Sequence, residues 1–331
     1  FPRRRKSGRK TGKGLILQNY RSPNKIPACA GMTAKFVGKP FQTTYPRRHN
    51  PKKTAMLAIT TCQTYPDPPP NLLPLAQILT RNGLPARFDA WQNHPSEPFV
   101  LPLCAWDYAA YPTAFAQWIR ESAESGQQFA NPPEIMLWNM NKTYLCDLAG
   151  RGANVIPSVH TSSESEHIRR AMQENGWREA VVKPAIGQSG GGVVRVREGE
   201  TFEIGNAPQG VIVQPYIRDI ETAGETSLVF FGGTFSHAVR RQPPQGEWRA
   251  NSAYGVAILP ARPSENIIET ARGVLDLLPE IPAYARADGT IVGDKLLLNE
   301  LELIEPALYL HTAEGAAERF AEVLTAWIEA V

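Results

Sequence analysis

Two carboxylates one residue apart, Glu300 and Glu302, sit in the apolar run Leu296-Leu297-Leu298-Asn299-Glu300-Leu301-Glu302-Leu303-Ile304. Side chains alternate along a β-strand, so both glutamates share one face while Leu301 and Leu303 enter a core. Like charges at that spacing repel unless a cation lies between them, and hard oxygen ligands suit Mg²⁺. Upstream, Arg286-Ala287-Asp288 closes another short strand and offers a third carboxylate. An isolated E-x-E would read more readily as a solvated strand.

A second feature changes that balance. In Val181-Val182-Lys183-Pro184-Ala185-Ile186-Gly187-Gln188-Ser189-Gly190-Gly191-Gly192-Val193-Val194, two Val-rich strands flank a loop with four glycines in six residues. Glycines allow positive φ and bring backbone N–H groups close to an anion, for which phosphate is the natural ligand. Lys183 adds a point charge to the same phosphates. No Gly-Lys-Ser/Thr follows and a strand comes next, which excludes both a Walker loop and the Rossmann fingerprint. Alone, the segment could be an ordinary glycine-rich hairpin. Nucleotide phosphates with Mg²⁺ account for the loop, the lysine and the carboxylates together.

The elements that would position these groups alternate between strand and helix, as in an α/β protein. A strand at 56–62 precedes a Pro-rich loop, a helix at about 71–82 with Leu72, Leu75, Ile78 and Leu79 at helical spacing, and a β-type run at 99–103. Residues 113–125 suggest a helix presenting Phe115, Trp118 and Ile119, which makes 56–130 a small α/β lobe. After Asn131-Pro132-Pro133 the spacing predicts helices at about 140–149 and 163–175. The second carries an S-x-x-E capping box at Ser163 and Glu166 and stops at Gly176. Glycine-punctuated β runs are expected from 181 to 239, then a helix at about 264–278 capped by Ser264. Strands at 283–288 and 295–304 and a helix at 313–330 complete the chain.

Composition narrows the class. With 42% hydrophobic and 20% charged residues the chain reads as globular. No apolar run reaches the roughly 18 residues of a membrane span. Four cysteines without a C-x-x-C pair argue against a zinc site or a disulfide framework and favour a reducing cytoplasm. Of 35 basic residues, 15 fall in 1–55 with no acidic residue, leaving 20 against all 32 acidic residues in the rest. Such an arm can bind nucleic acid. Its composition fits a disordered tail better. Met56 opens the first strand, so 1–55 is expected to be either a tail or sequence ahead of the native start.

With these residues in view, the chain from Met56 to about Val331 resembles an ATP-grasp enzyme. It is similar to the branch of prokaryotic glutathione synthetase, the ribosomal-protein glutamate ligases and the D-cycloserine cyclo-ligase. The resemblance rests on Trp106-Asp107-Tyr108, the run from Leu137 to Leu145, the Lys183 loop, Gln214-Pro215-Tyr216, Gly224-Glu225-Thr226-Ser227, Phe235 to Arg240, Arg286-x-Asp288 and Glu300-x-Glu302. It implies an α/β (α+β) ATP-grasp fold, with a pre-ATP-grasp lobe at 56–130 and a two-lobed ATP-grasp domain at 131–331. It also implies a Mg-ATP-dependent ligase joining a small-molecule carboxylate to an amine or related nitrogen nucleophile through an acyl phosphate. The rival is a non-catalytic nucleotide-binding protein with a degenerate site. Roles follow residue by residue. Lys142 and Lys183 contact the phosphates under a loop comprising Gly187, Ser189, Gly190, Gly191 and Gly192. Gln214, Tyr216 and Ile217 form the adenine hinge, and Glu225, or else Glu221, holds the ribose. Asp288, Glu300 and Glu302 ligate Mg²⁺ (Mn²⁺ is an alternative), while Arg240 and Arg286 stabilise the transferring phosphate. A homodimer is common in that branch. Specificity is assigned to 56–130 and to the loop from Gln242 to Gly255.

Overall fold

The computed structural model describes residues 55–331; the expectations for the basic segment concern residues outside the described ones, apart from Ala55. The chain opens with β1 (Leu57–Thr61), α1 (Leu73–Arg81), β2 (Ala86–Ala90), β3 (Phe99–Leu101), α2 (Pro112–Glu124) and β4 (Gln128–Phe129). These strands form a parallel sheet in the order β2-β1-β3-β4. Every residue of β1 is buried, as befits a parallel strand covered on both faces. Leu57 and Ile59 pack with Leu75 and Leu79 of α1, while Phe115, Trp118 and Ile119 of α2 join a second core with Trp91 and Phe129.

Next come α3 (Pro133–Asn139) and α4 (Tyr144–Gly150), followed by β5 (Val159–Thr161), α5 (Ser165–Glu174), β6 (Glu179–Pro184), β7 (Val194–Arg197) and β8 (Val211–Pro215). β5 to β8 form an antiparallel sheet in the order β5-β8-β6-β7, with Ile168 and Met172 of α5 packed on Val182, Val196 and Val213. After the single-turn α6 (Ile220–Ala223) follow β9 (Glu225–Phe231), β10 (Thr234–Gln242), β11 (Ala257–Ala261), α7 (Glu265–Leu275), β12 (Tyr284–Val292), β13 (Lys295–Glu302) and α8 (Ala316–Ala330). These strands make a second antiparallel sheet, ordered β11-β10-β9-β12-β13. Leu298 and Leu301 share a core with Tyr144 and Leu148 of α4 and Ala271 of α7.

Several local expectations change. The helix expected at 140–149 starts only at Tyr144 and runs to Gly150; an unexpected α3 precedes it, and the break between them carries Lys142. The Ser163–Glu166 box does not form; α5 starts at Ser165 behind Glu164 without a side-chain cap. Ser264 precedes α7, yet its hydroxyl donates to Asp294 (2.6 Å) instead of the helix. Strands β2, β4 and β11 carry no strong alternation and were not expected from pattern alone. Finally, Phe320 and Leu324 of α8 pack in the core of the N-terminal lobe, so the chain's last helix completes its first domain.

Candidate active site

A cavity of about 840 Å³, its open mouth included, lies between the two antiparallel sheets, within the range that buries a nucleotide-sized ligand. The four-stranded sheet contributes Val181 and Lys183 from β6, Gln214 and Pro215 from β8, and Tyr216 and Ile217 just beyond. The β6–β7 connection covers it with Gly187, Gln188, Ser189, Gly190 and Gly191. Ser189 and Gly190 both hold positive φ, 54° and 73°, a region open to glycine and strained for serine. The five-stranded sheet supplies Glu225, Arg241, Thr290, Asn299 and Glu300, and the α3–α4 break supplies Lys142.

Pairing across the floor follows strand register. Glu225 lies opposite Arg241, Asp288 opposite Ser227 and Glu300, and Arg286 opposite Glu302. Arg241 Nη2 reaches Glu225 (2.5 Å) and Asp288 (2.7 Å). Arg286 grips both oxygens of Asp288 at 2.8–3.2 Å and also pairs with Glu302. Lys142 Nζ donates to the Gly187 carbonyl (2.6 Å) and pairs with Glu300 (2.7 Å), which ties the glycine loop to the carboxylate strand. Lys183 donates to Asn299 Oδ1, and Asn299 Nδ2 donates to Glu225 (2.5 Å).

Burial and partners set the charges. Burial pushes the Lys183 ammonium down, with Lys142 adding to the effect against Glu300 and Glu225. Burial also opposes the charge of Lys142, but Glu300 outweighs it and the group is raised. Burial lifts Asp288, yet Arg241 and Arg286 prevail and hold it at about 2. Glu302 goes the other way: burial, helped by Asp288 and Glu300 and opposed by Arg286, pushes it up to about 7. Glu225 is likewise raised by burial despite Arg241.

Of the residues expected to hold a nucleotide, Lys142, Lys183, Gly187, Ser189, Gly190, Gly191, Gln214, Tyr216, Ile217 and Glu225 line this cavity, and Gly192 does not. The structure places Arg241, not Arg240, in it. Neighbours on a strand face opposite ways, and Arg240 is exposed. Arg286, Asp288 and Glu302 stand behind the cavity and do not line it; Arg286 pairs with both carboxylates, and Arg241 links Asp288 to the lining. Both oxygens of Glu225 are engaged, whereas the contacts of Glu221 with Tyr216 and Arg195 fall on one oxygen. Among the described residues no group of three His, Cys, Asp or Glu side chains could hold a metal alone. Asp288 is saturated by arginines. Glu300 and Glu302, each 24% exposed, have one oxygen in an ion pair and the other available to a hard cation. That set suits Mg²⁺, which takes one or two carboxylates together with phosphate oxygens.

Asn299 escaped the sequence reading. Register slips between Asp288 and Gly289, so Asn299 is a bulged residue without a partner on β12. The bulge lets Asn299 and Glu300, adjacent in sequence, both line the cavity. Its trace is a parity switch: Leu296 and Leu298 are core on even numbers, Leu301 and Leu303 on odd ones. Opposite the bulge, a Cβ on Gly289 would collide with the Leu297 carbonyl. Trp248, Arg249, Ala250 and Asn251 of the β10–β11 connection also line the cavity, and Tyr254 donates to the Gly190 carbonyl (3.3 Å).

Two facing antiparallel sheets with candidate phosphate-binding groups between them, behind a small parallel lobe, are the architecture of the ATP-grasp fold. Known proteins agree. Residues 57–131 match the N-terminal domain of D-cycloserine synthetase DcsG, and residues 148–282 match the ATP-grasp domain of prokaryotic glutathione synthetase. The cycloserine biosynthesis protein DcsG of Streptomyces lavendulae is 28% identical over 260 residues, covering 71% of this chain and 83% of that protein. The crystal structure of D-cycloserine synthetase DcsG superposes with a TM-score of 0.70 at 24% identity, over 82% of this chain and 99% of that one. A D-alanine–D-alanine ligase from Bacillus anthracis shares the fold more distantly, with a TM-score of 0.55 at 11% identity over 83% of this chain and 96% of that one. The chain thus shares the ATP-grasp fold, and its matches support an ATP-dependent ligase. Among its described residues no helix is long and apolar enough to cross a membrane.

Proposed function

We propose that the protein uses Mg-ATP to phosphorylate a small-molecule carboxylate and joins the resulting acyl phosphate to a nitrogen nucleophile, releasing ADP and phosphate. The observation that carries this reading is the convergence of Lys142, Lys183 and Glu300 beneath the glycine loop. The backbone of Gln214–Ile217 meets the adenine, and Glu221, with one oxygen uncommitted, meets the ribose in preference to Glu225. Lys142, Lys183 and the loop N–H groups take the phosphates. Glu300 and Glu302 hold Mg²⁺, for which Mn²⁺ substitutes; the ion supplies charge neutralisation at the phosphates. Arg241, steadied by Glu225 and Asp288, faces the transferring phosphate from the floor. Catalysis then consists of positioning and charge stabilisation in a water-poor cavity. The glycine loop keeps water from the acyl phosphate.

The names of the similar proteins, a cycloserine synthetase and a D-alanine–D-alanine ligase, support an amide-type product. Lys183→Ala and Glu300→Ala are each expected to lower ADP release by about a hundredfold or more. Undiminished ADP release from either purified variant would sink the assignment. Calorimetry is expected to show Mg²⁺ binding only when ATP is present, since the protein alone offers two carboxylates and no cage.

A further inference from the structure

The two lysines of the cavity are held in different ways. Lys142 Nζ pairs with the Glu300 carboxylate at 2.7 Å, so its charge is already answered within the site. Lys183 is only 8% exposed and enters no ion pair among the described residues; its ammonium donates to Asn299 Oδ1. An ammonium has three donors and no acceptor, so the atom facing it must be the amide oxygen. The amide nitrogen then donates to Glu225 Oε1 (2.5 Å), while Glu225 Oε2 accepts from Arg241 Nη2 (2.5 Å). Both ends of Asn299 therefore require the same amide orientation. The chain Lys183–Asn299–Glu225–Arg241 runs from β6 of one sheet, through β13, to β9 and β10 of the other. Asn299 can stand in it because of the bulge: it has no partner on β12 and lines the cavity beside Glu300. Glu225 lies one strand beyond β12, so the amide and the carboxylate meet across that strand.

We propose that Asn299 is the positioning residue for Lys183: its neutral amide holds the ammonium beneath the glycine loop while leaving the charge free for the phosphates of the nucleotide. The inference rests on the ligase reading above. A carboxylate at this position would hold Lys183 more tightly, yet would neutralise it and set a like charge against Glu225. An apolar residue would leave a buried ammonium without an acceptor. The amide avoids both faults, since it accepts from the lysine, donates to Glu225 and carries no net charge. Burial already disfavours the Lys183 charge. A charge-assisted bond to phosphate oxygens therefore gains most where no carboxylate competes for the cation. Through Glu225, the same amide fixes Lys183 relative to Arg241 on the floor.

The test is calorimetric binding of Mg-ATP, and of adenosine as a ligand without phosphates, to the full chain and to its Asn299→Ala and Asn299→Asp variants. Asn299→Ala is expected to raise the Kd for Mg-ATP about ten- to hundredfold, the worth of one hydrogen bond to a charged group. Asn299→Asp keeps the shape and the acceptor, yet should lose more than Asn299→Ala because its charge neutralises Lys183. Adenosine affinity should be unchanged in both, since adenosine meets the hinge and not the lysine. Unchanged Mg-ATP affinity in Asn299→Ala overturns the proposal. A milder loss in Asn299→Asp than in Asn299→Ala also overturns it, being the order expected if only the hydrogen bond mattered. Parallel losses for adenosine and Mg-ATP overturn it too and mark Asn299 as a support of the fold alone. Failure of the ligase reading is distinct: it appears as absent Mg-ATP binding by the unaltered chain.

Discussion

The two walls of the cavity solve one problem by different physics. The four-stranded wall brings Lys183 as its buried charge and otherwise offers valines, hinge backbone and a glycine loop. It can recognise an anion through backbone N–H groups. The five-stranded wall buries Glu225, Arg241, Arg286 and Asp288 in one continuous ion-pair network. Each charge there is tolerable only because its partner is in place. One wall is a backbone cover and the other an electrostatic template. A change in the cover is therefore expected to cost little stability, whereas a cut in the floor network is expected to cost both stability and function.

Cutting the network is the severest way to probe this contrast. Arg241→Ala would leave Glu225 and Asp288 short of a buried cation, at a cost of about 3–5 kcal/mol. A Tm drop of roughly 6–20 °C in calorimetry is expected; a drop of a degree or two would mean that the floor is no template. On the cover, Gly190→Ala meets a strained φ and a clash with Asn251, yet the loop is peripheral to the core. A stability cost of about 1 kcal/mol, with a much larger fall in kcat for ADP release, would sharpen the distinction. Equal losses in Tm by Gly190→Ala and Arg241→Ala would break it.

Glu302 gives a milder test through pH. Its pKa is raised to about 7, so its neutral form is favoured in the fold. The sign follows: stability from this group is full below its unfolded value near 4.5 and is lost as pH rises through about 7. Mg-ATP binding needs the ionised form and should strengthen over the same window. Titration calorimetry of Glu302→Gln should show weaker binding without that rise. A variant that kept the rise would exclude Glu302. The smallest effect expected is from deleting residues 1–55, with unchanged Mg-ATP affinity.

Legibility in the sequence differed in the same way between the walls. The cover could be read almost entirely because its chemistry is local: glycines, a lysine and flanking valines lie within one stretch of chain. The floor was only half legible. Glu300 and Glu302 could be placed on one face by strand parity, whereas Asp288 could be named as a third carboxylate but set opposite Glu300 only by the pairing of β12 with β13. Arg241 could not, because choosing between it and Arg240 requires the register of β10 against β9. Asn299 needed recognition of a bulge, whose parity switch among Leu296, Leu298, Leu301 and Leu303 was present but easily passed over. The two family matches end at 282 and leave Lys142, which falls between them, and the whole carboxylate strand outside.

By itself, then, the sequence determined the types of groups available and their local facing: a glycine-rich loop with its lysine, and two glutamates on one strand face. Tertiary structure decided which cation answers which anion. It put Arg241 between Glu225 and Asp288, set Lys142 against both Gly187 and Glu300, and packed α8 against the first lobe. The reason is physical. Periodicity is a property of neighbouring residues, whereas the pairing of buried charges depends on strand register and sheet order, which bring together residues far apart in the chain.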